Sequence, residues 1–254
     1  MLLLAMAGIL SFGMSSCEDD KVQPIVPLPS VGTVDLQMEN MVGTEPLVLN
    51  VTQGKNANNE TFTVTKFIYY VSNIQLTKTD GSVYAVPESY YLVNQADAAT
   101  HKIALKDIPI GDYNKISYIV GVDSARNVAG AQTGALDPAN AMFWSWNTGY
   151  IFLKLEGNST ASPTGALVYH VGGFKAPNNT IRTVTLNTPA NTNLLVRADH
   201  KPEVHIEADV LKMFTGVSNV SFATSPGHTG GPGAVAIANN YAKGMFSIEH
   251  IHAN

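Results

Sequence analysis

Hydrophobic and polar residues alternate with a period of two along most of this chain, and the alternation breaks every 8–15 residues at Gly, Pro, Asn or Asp. That rhythm places side chains on opposite faces of an extended backbone and predicts short strands joined by turns. Strands are expected over 33–38, 47–51, 61–76, 83–86, 90–94, 102–105 and 112–120. Further strands are expected over 150–156, 165–171, 181–186, 194–198, 203–209 and 245–252. Asp80-Gly81 between two apolar runs signals a hairpin. The helical period is visible at two places. A single turn fits 210–214. A longer helix fits 233–243, where Pro232 suits the start, Gly244 the stop, and Val235, Ala238 and Ala242 share a face. The pattern predicts an all-β fold: an antiparallel β-sandwich with long loops and one or two short helices, in one domain over 31–254.

The N-terminus reads as targeting sequence. Residues 1–12 form an apolar run too short to span a bilayer in the usual way, and no basic residues precede it. Small residues then lead to Cys17, the only cysteine, in a pattern that resembles a bacterial lipoprotein processing site. A signal peptide over 1–16 and an acylated Cys17 are expected, with a plain secretory signal as the alternative. Glu18-Asp19-Asp20 resembles the acidic export tag of surface lipoproteins in Bacteroidetes-type bacteria. Pro24, Pro27 and Pro29 make 17–30 an extended tether that would hold the domain off an outer membrane, in an extracytoplasmic setting.

Composition narrows the function classes. Fifteen Lys and Arg stand against twenty Asp and Glu, giving a net charge of −5. No basic cluster occurs, which argues against nucleic acid as a partner. No nucleophile motif, phosphate loop or zinc-hydrolase spacing occurs either, so the chain reads as a binding protein and not an enzyme.

Both tryptophans, Trp144 and Trp146, lie in one short block with Met142. In an extended segment these three share a face. A thioether beside two indoles is soft and oxidisable, and it equally suits an aromatic plug over a core. The glycine-rich stretch 126–148 before and through this block is long for a connection, and long ordered loops on sandwiches are often functional; a lid is one reading. Asp123, Asn127, Asp137 and Asn147 flank it. Their oxygens suit Ca²⁺ holding the loop, or Asx turns with no ion.

Imidazole is the commonest metal-binding side chain, so the histidines are the candidate ligands. His250 and His252 are two apart on an expected strand and face one way, behind Phe246 and Ile248. His205 alternates with Val204 and Ile206, sharing a face with Glu207 and Asp209. His170 precedes Gly172-Gly173, where another backbone or a ligand can approach closely. The alternatives are a frayed tail for His250 and His252, a solvated strand face for His205, and a buried hydrogen-bonded ring for His170. His228, His101 and His200 read as loop or turn residues.

Several blocks together resemble the MbnP-like copper-binding proteins: Gly121-Val122-Asp123-Ser124-Ala125-Arg126-Asn127, the stretch from Leu136 to Gly149, Phe67-Ile68-Tyr69-Tyr70-Val71-Ser72-Asn73-Ile74, Tyr169-His170-Val171-Gly172-Gly173-Phe174 and Met245 to His252. The resemblance runs from Val31 to Asn254. It implies copper held by histidines together with a tryptophan oxidised to kynurenine, here Trp144 or Trp146. It also implies a dihaem cytochrome c peroxidase or MauG-like protein as partner. Glu39-Asn40 stands where some copper-binding relatives carry an early-strand histidine. On this reading the chain acquires or handles copper. The alternative is a cell-surface carbohydrate-binding or adhesive sandwich in which Trp144, Trp146 and Tyr150 stack on sugars without copper. One tryptophan is expected to touch a cluster drawn from His170, His205, His250 and His252.

Overall fold

A computed structural model describes residues 30–144, 146, 149–190 and 192–252. The expected signal peptide, Cys17, the tether up to residue 29, and Asn147 lie outside the described residues.

Fifteen strands form among the described residues: β1 (Val31–Val42), β2 (Glu45–Pro46), β3 (Thr52–Lys55), β4 (Thr61–Lys78), β5 (Val83–Ala85), β6 (Tyr90–Asn94), β7 (Lys102–Pro109), β8 (Gly111–Val120), β9 (Ile151–Asn158), β10 (Ala166–Gly172), β11 (Arg182–Asn187), β12 (Leu194–Val196), β13 (Glu203–Asp209), β14 (Gly227–Thr229) and β15 (Phe246–His252). They make two sheets. The smaller has five strands in the order β15-β13-β1-β2, with β7 also on β1. The larger has ten, in the order β11-β8-β4-β9-β10-β14, with β12 on β8 and β3, β5 and β6 on β4. Their inner faces share one core. Val34, Leu36 and Met38 of β1 and Val204, Ile206 and Ala208 of β13 meet Phe67, Tyr69 and Val71 of β4 and Leu153 and Leu155 of β9. Burying such a contiguous apolar face is what holds each amphipathic strand in place.

The all-β class with a few short helices holds. The sheets, however, are mixed. β1 runs parallel to β13 through seven paired residues, Asp35 opposite Glu203 to Met41 opposite Asp209, and β10 runs parallel to β14. Period-two alternation is the same in parallel and antiparallel strands, so the pattern had no means of showing direction.

Residues 47–51 lie outside any strand, between β2 and β3. The hairpin around Asp80-Gly81 forms as expected, with Gly81 at φ 87°. β14 went unexpected because Gly227-His228-Thr229 lacks any apolar residue. Helix α1 (Ser124–Asn127) is one turn, and α2 (Gly231–Gly244) covers the open end of the core with Ala234, Ile237, Ala238 and Tyr241 buried. The expected turn over 210–214 is a 3₁₀ helix, Val210–Met213.

The larger sheet has a second apolar layer on its outer face. Ile68, Tyr70 and Phe152 point outward and are covered by Leu136, Met142, Trp144 and Tyr150. The covering stretch is pinned. Asn127 donates to the carbonyls of Val122 and Asp123 and accepts from the Tyr150 amide. Tyr70 and Tyr150 donate to the carbonyls of Ala135 and Leu136. The described residues of the glycine-rich stretch therefore form a cover held by these hydrogen bonds.

Candidate metal centre

Among the described residues, the outer face of the smaller sheet carries no such cover. Because Val204, Ile206 and Ala208 face the core, Glu203, His205, Glu207 and Asp209 face outward. β15 reaches the same face through an irregularity. Ile248 pairs with Ile206 and His250 with His205, leaving Glu249 as the extra residue of a β-bulge. Two residues on the bulged strand oppose one on its partner, which shifts the phase of alternation. Phe246, Ile248 and Ile251 consequently turn toward the core. The expectation that Phe246 and Ile248 share a face with His250 and His252 is corrected by this bulge.

The result is a histidine trio. His205 and His250 stack at 4.2 Å between centroids, and His252 meets each edge-on at 4.9 and 4.3 Å. One nitrogen from each of the three rings lies within 4.8 Å of the others. Nε2 of His250 and Nε2 of His252 are 2.7 Å apart. His205 Nδ1 contacts Glu39 Oε1 at 2.8 Å, and His250 Nδ1 contacts the Glu249 carboxylate. His205 Nε2 lies 3.3 Å from Glu203 Oε1, is buried, and has no hydrogen-bond partner.

Charges around the trio are arranged in layers. Lys102 bridges Glu203 at 2.5 Å and Asp35 at 2.8 Å, and Lys201 reaches Asp35 at 2.6 Å. The Lys102 hydrogen bond holds the Glu203 carboxyl below its ordinary range. Burial raises the Asp35 carboxyl, but its bonds to Lys102 and Lys201 outweigh burial and bring it below its usual value. Glu207 is raised, by burial first and then by Glu249, Glu39 and Asp209. The donor set of imidazole nitrogens with carboxylate oxygen nearby fits copper or zinc better than calcium or magnesium. A buried ring nitrogen with no hydrogen-bond partner, on a ring packed against two other imidazoles, is a candidate ligand position.

His170 is elsewhere, on β10. Its Nε2 meets Glu156 at 2.9 Å, and Glu156 meets Lys66 at 3.0 Å. Burial lowers the His170 pKa, outweighing the Glu156 contact. His228 tucks against α2, where a Cβ at Gly233 would lie 2.1 Å from its Nδ1. His101 meets the Asn94 carbonyl at 3.1 Å, and His200 meets Asp199 at 2.8 Å.

The tryptophans do not meet the trio. Trp144 lies over Gly172 of β10, on the outer face of the larger sheet, across the whole core from His205. The expected histidine cluster is therefore divided: His205, His250 and His252 lie on the smaller sheet, whereas His170 shares its face of β10 with Gly172, over which Trp144 lies. The Trp144 and Trp146 rings are 5.4 Å apart at 42°. They border a cleft of about 440 Å³ with Gly172, Gly173, Phe174 and Gly230. Trp144 is 5% exposed, Tyr150 is buried and Trp146 is 66% exposed, so one ring and not three is open for stacking on a sugar. The glycines of the 170–174 motif are explained by close approach: a Cβ at Gly172 would lie 2.6 Å from the Trp144 ring. Asp123 caps α1 through the amides of Ala125 and Arg126 and accepts from the Tyr90 hydroxyl, while Asp137 accepts from the Ala139 amide.

Comparison with known proteins adds three findings. No curated protein matches the chain. Among solved structures, MbnP from Methylosinus trichosporium is similar at 13% identity and a TM-score of 0.48, over 79% of this chain and 81% of that one. The MbnP family profile matches residues 31–230, a stretch that holds His170, His205 and both tryptophans and ends before β15. Since that match spans most of the chain, the protein belongs to the MbnP family.

Proposed function

We propose that this protein binds copper through His205, His250 and His252 and serves in copper acquisition or handling without turning over a substrate. Membership of the MbnP family associates the chain with copper. The observation that carries the site is the convergence of three ring nitrogens within 4.8 Å on the outer face of the smaller sheet. When bound there, the ion would be held by imidazole nitrogens, with the Glu203 carboxylate 3.3 Å from His205 Nε2. His170 belongs to a separate Glu156–Lys66 network and is not a ligand on this reading.

The remaining parts of the reading are proposals that follow from it. Trp146 is the accessible indole for oxidation to kynurenine by a dihaem MauG-like partner, since Trp144 is covered. A kynurenine there would lie on the opposite face from the trio. Acylated Cys17 would anchor the domain to the outer membrane, and Cys17→Ser should release it from the membrane fraction.

Copper titration followed by electron paramagnetic resonance tests the site. The wild-type Cu(II) spectrum should show coupling to histidine nitrogens. His205→Ala, His250→Ala and His252→Ala should each weaken binding at least tenfold, and His170→Ala should leave it unchanged. Equal binding by the three trio variants and wild type would sink the assignment.

A further inference from the structure

We infer that Glu39 and Glu249 are positioning residues that fix the tautomers of His205 and His250, so that both rings present Nε2 to a metal ion. The inference rests on reading the trio as a metal site.

The argument is one of proton placement. An ionised carboxylate has only acceptor positions, so the ring nitrogen facing it must carry the proton. Glu39 faces His205 Nδ1 at 2.8 Å. A neutral imidazole has one ring proton, so His205 Nε2 then carries a lone pair. That atom is buried and lies 3.3 Å from Glu203 Oε1 without a hydrogen bond between them, and a lone pair set beside a carboxylate oxygen is unfavourable unless a cation fills the space. Glu249 faces His250 Nδ1 in the same way. His250 Nε2 is therefore also an acceptor, and the 2.7 Å contact is completed by a proton on His252 Nε2. A metal ion held between the rings would take the place of that hydrogen bond, with the His252 proton carried on Nδ1 and no net proton lost. A carboxylate behind a ligating imidazole is the usual device for fixing ring orientation and raising ligand basicity.

Chain geometry supplies both carboxylates. Glu39 stands on β1 one strand away from His205, in a parallel ladder where Gln37 pairs with His205 and Glu39 with Glu207. Glu249 is the additional residue of the β15 bulge. In a regular strand the neighbour of an outward residue points inward. The bulge lets Glu249 and His250 stay on one side together. Neither carboxylate is a direct ligand here: each acts through the histidine it holds.

Histidine ¹⁵N nuclear magnetic resonance on the metal-free full chain at pH 8 reads the tautomers directly, and chelator competition reads Cu(II) affinity. Wild type should show the Nδ1–H form at His205 and His250. Glu39→Ala should turn His205 into a tautomer mixture, and Glu249→Ala should do so for His250. Each should lower affinity about 10–100-fold while the paramagnetic spectrum keeps its histidine nitrogens. Glu39→Gln keeps an oxygen acceptor, so it should hold the tautomer and lose less affinity; it also controls for misfolding. Unchanged tautomers in both alanine variants, a His205 ring protonated at both nitrogens, or affinities within twofold of wild type would overturn the inference. Wild-type protein that binds no Cu(II) through histidine, yet shows the tautomers and their loss, would sink the copper reading and leave the positioning intact.

Discussion

At the scale of single residues, neighbouring positions in the sequence divide between packing and chemistry. Asn40, where an early-strand histidine was sought, is buried; it donates to Gln95 and accepts from Tyr69, and so ties β1 to the core. Its neighbour Glu39 points outward to His205. Trp144 and Trp146 divide in the same manner, one sealing the second apolar layer and the other open. Trp144→Ala should therefore destabilise by about 3–5 kcal/mol, as large aromatic deletions do, and Trp146→Ala by about 0.5 kcal/mol or less. Gly172→Ala should also destabilise, by about 1–3 kcal/mol, because its Cβ would meet both the Trp144 ring and the Tyr150 carbonyl at 2.6 Å. Denaturant unfolding followed by tryptophan fluorescence checks all three. A Trp144→Ala protein as stable as Trp146→Ala would contradict the plug. The sequence showed that Gly172-Gly173 permits close approach. It gave no sign that the approaching group is an indole from 28 positions earlier in the chain.

At the scale of elements, alternation located most strands and missed their irregularities. β4 shows why. Phe62 and Val64 face the core, then a register shift between Val64 and Lys66 hands the inner face to Phe67, Tyr69 and Val71. A bulge adds one residue and leaves no compositional mark, so neither this shift nor the one at Glu249 was legible. The grouping of His205 with outward acids was legible, since β13 alternates without a break. The smaller sheet's ion pairs make a pH prediction at this scale. Asp35 on β1 is bridged by Lys102 on β7 and by Lys201 just before β13. Its folded carboxyl titrates below the ordinary 3.8. As pH falls, the unfolded chain takes up the proton first, so the stabilisation is full above that ordinary value and disappears as pH drops through the lowered folded one. Asp35→Asn should lower stability at pH 7 by about 1–2 kcal/mol, at the low end because both lysines are half exposed. It should also flatten the acid limb of the stability curve. A parallel pair of curves for variant and wild type would contradict the assignment.

At the scale of the whole molecule, two sheets place two chemically distinct surfaces back to back. The smaller sheet presents imidazoles and carboxylates, and the larger presents the pinned cover with the tryptophans. Sequence reading had joined them, because a sandwich brings facing side chains within reach across its ~10 Å core. Both groups prove to be on outer faces, and alternation cannot tell an outer face from an inner one when a cover buries both sides of a strand, as at 67–72 of β4. Separation has a measurable consequence. Interactions between groups that share no partner and lie well over 10 Å apart are close to additive, so indole chemistry and metal binding should be independent. Trp144→Phe and Trp146→Phe should leave Cu(II) affinity and the paramagnetic spectrum unchanged. Oxidation of Trp146 should likewise leave the trio's nitrogens as the ligands. A shift in the nitrogen coupling pattern on substituting either tryptophan would mean that copper sits against the larger sheet, and would move the metal centre away from His205, His250 and His252.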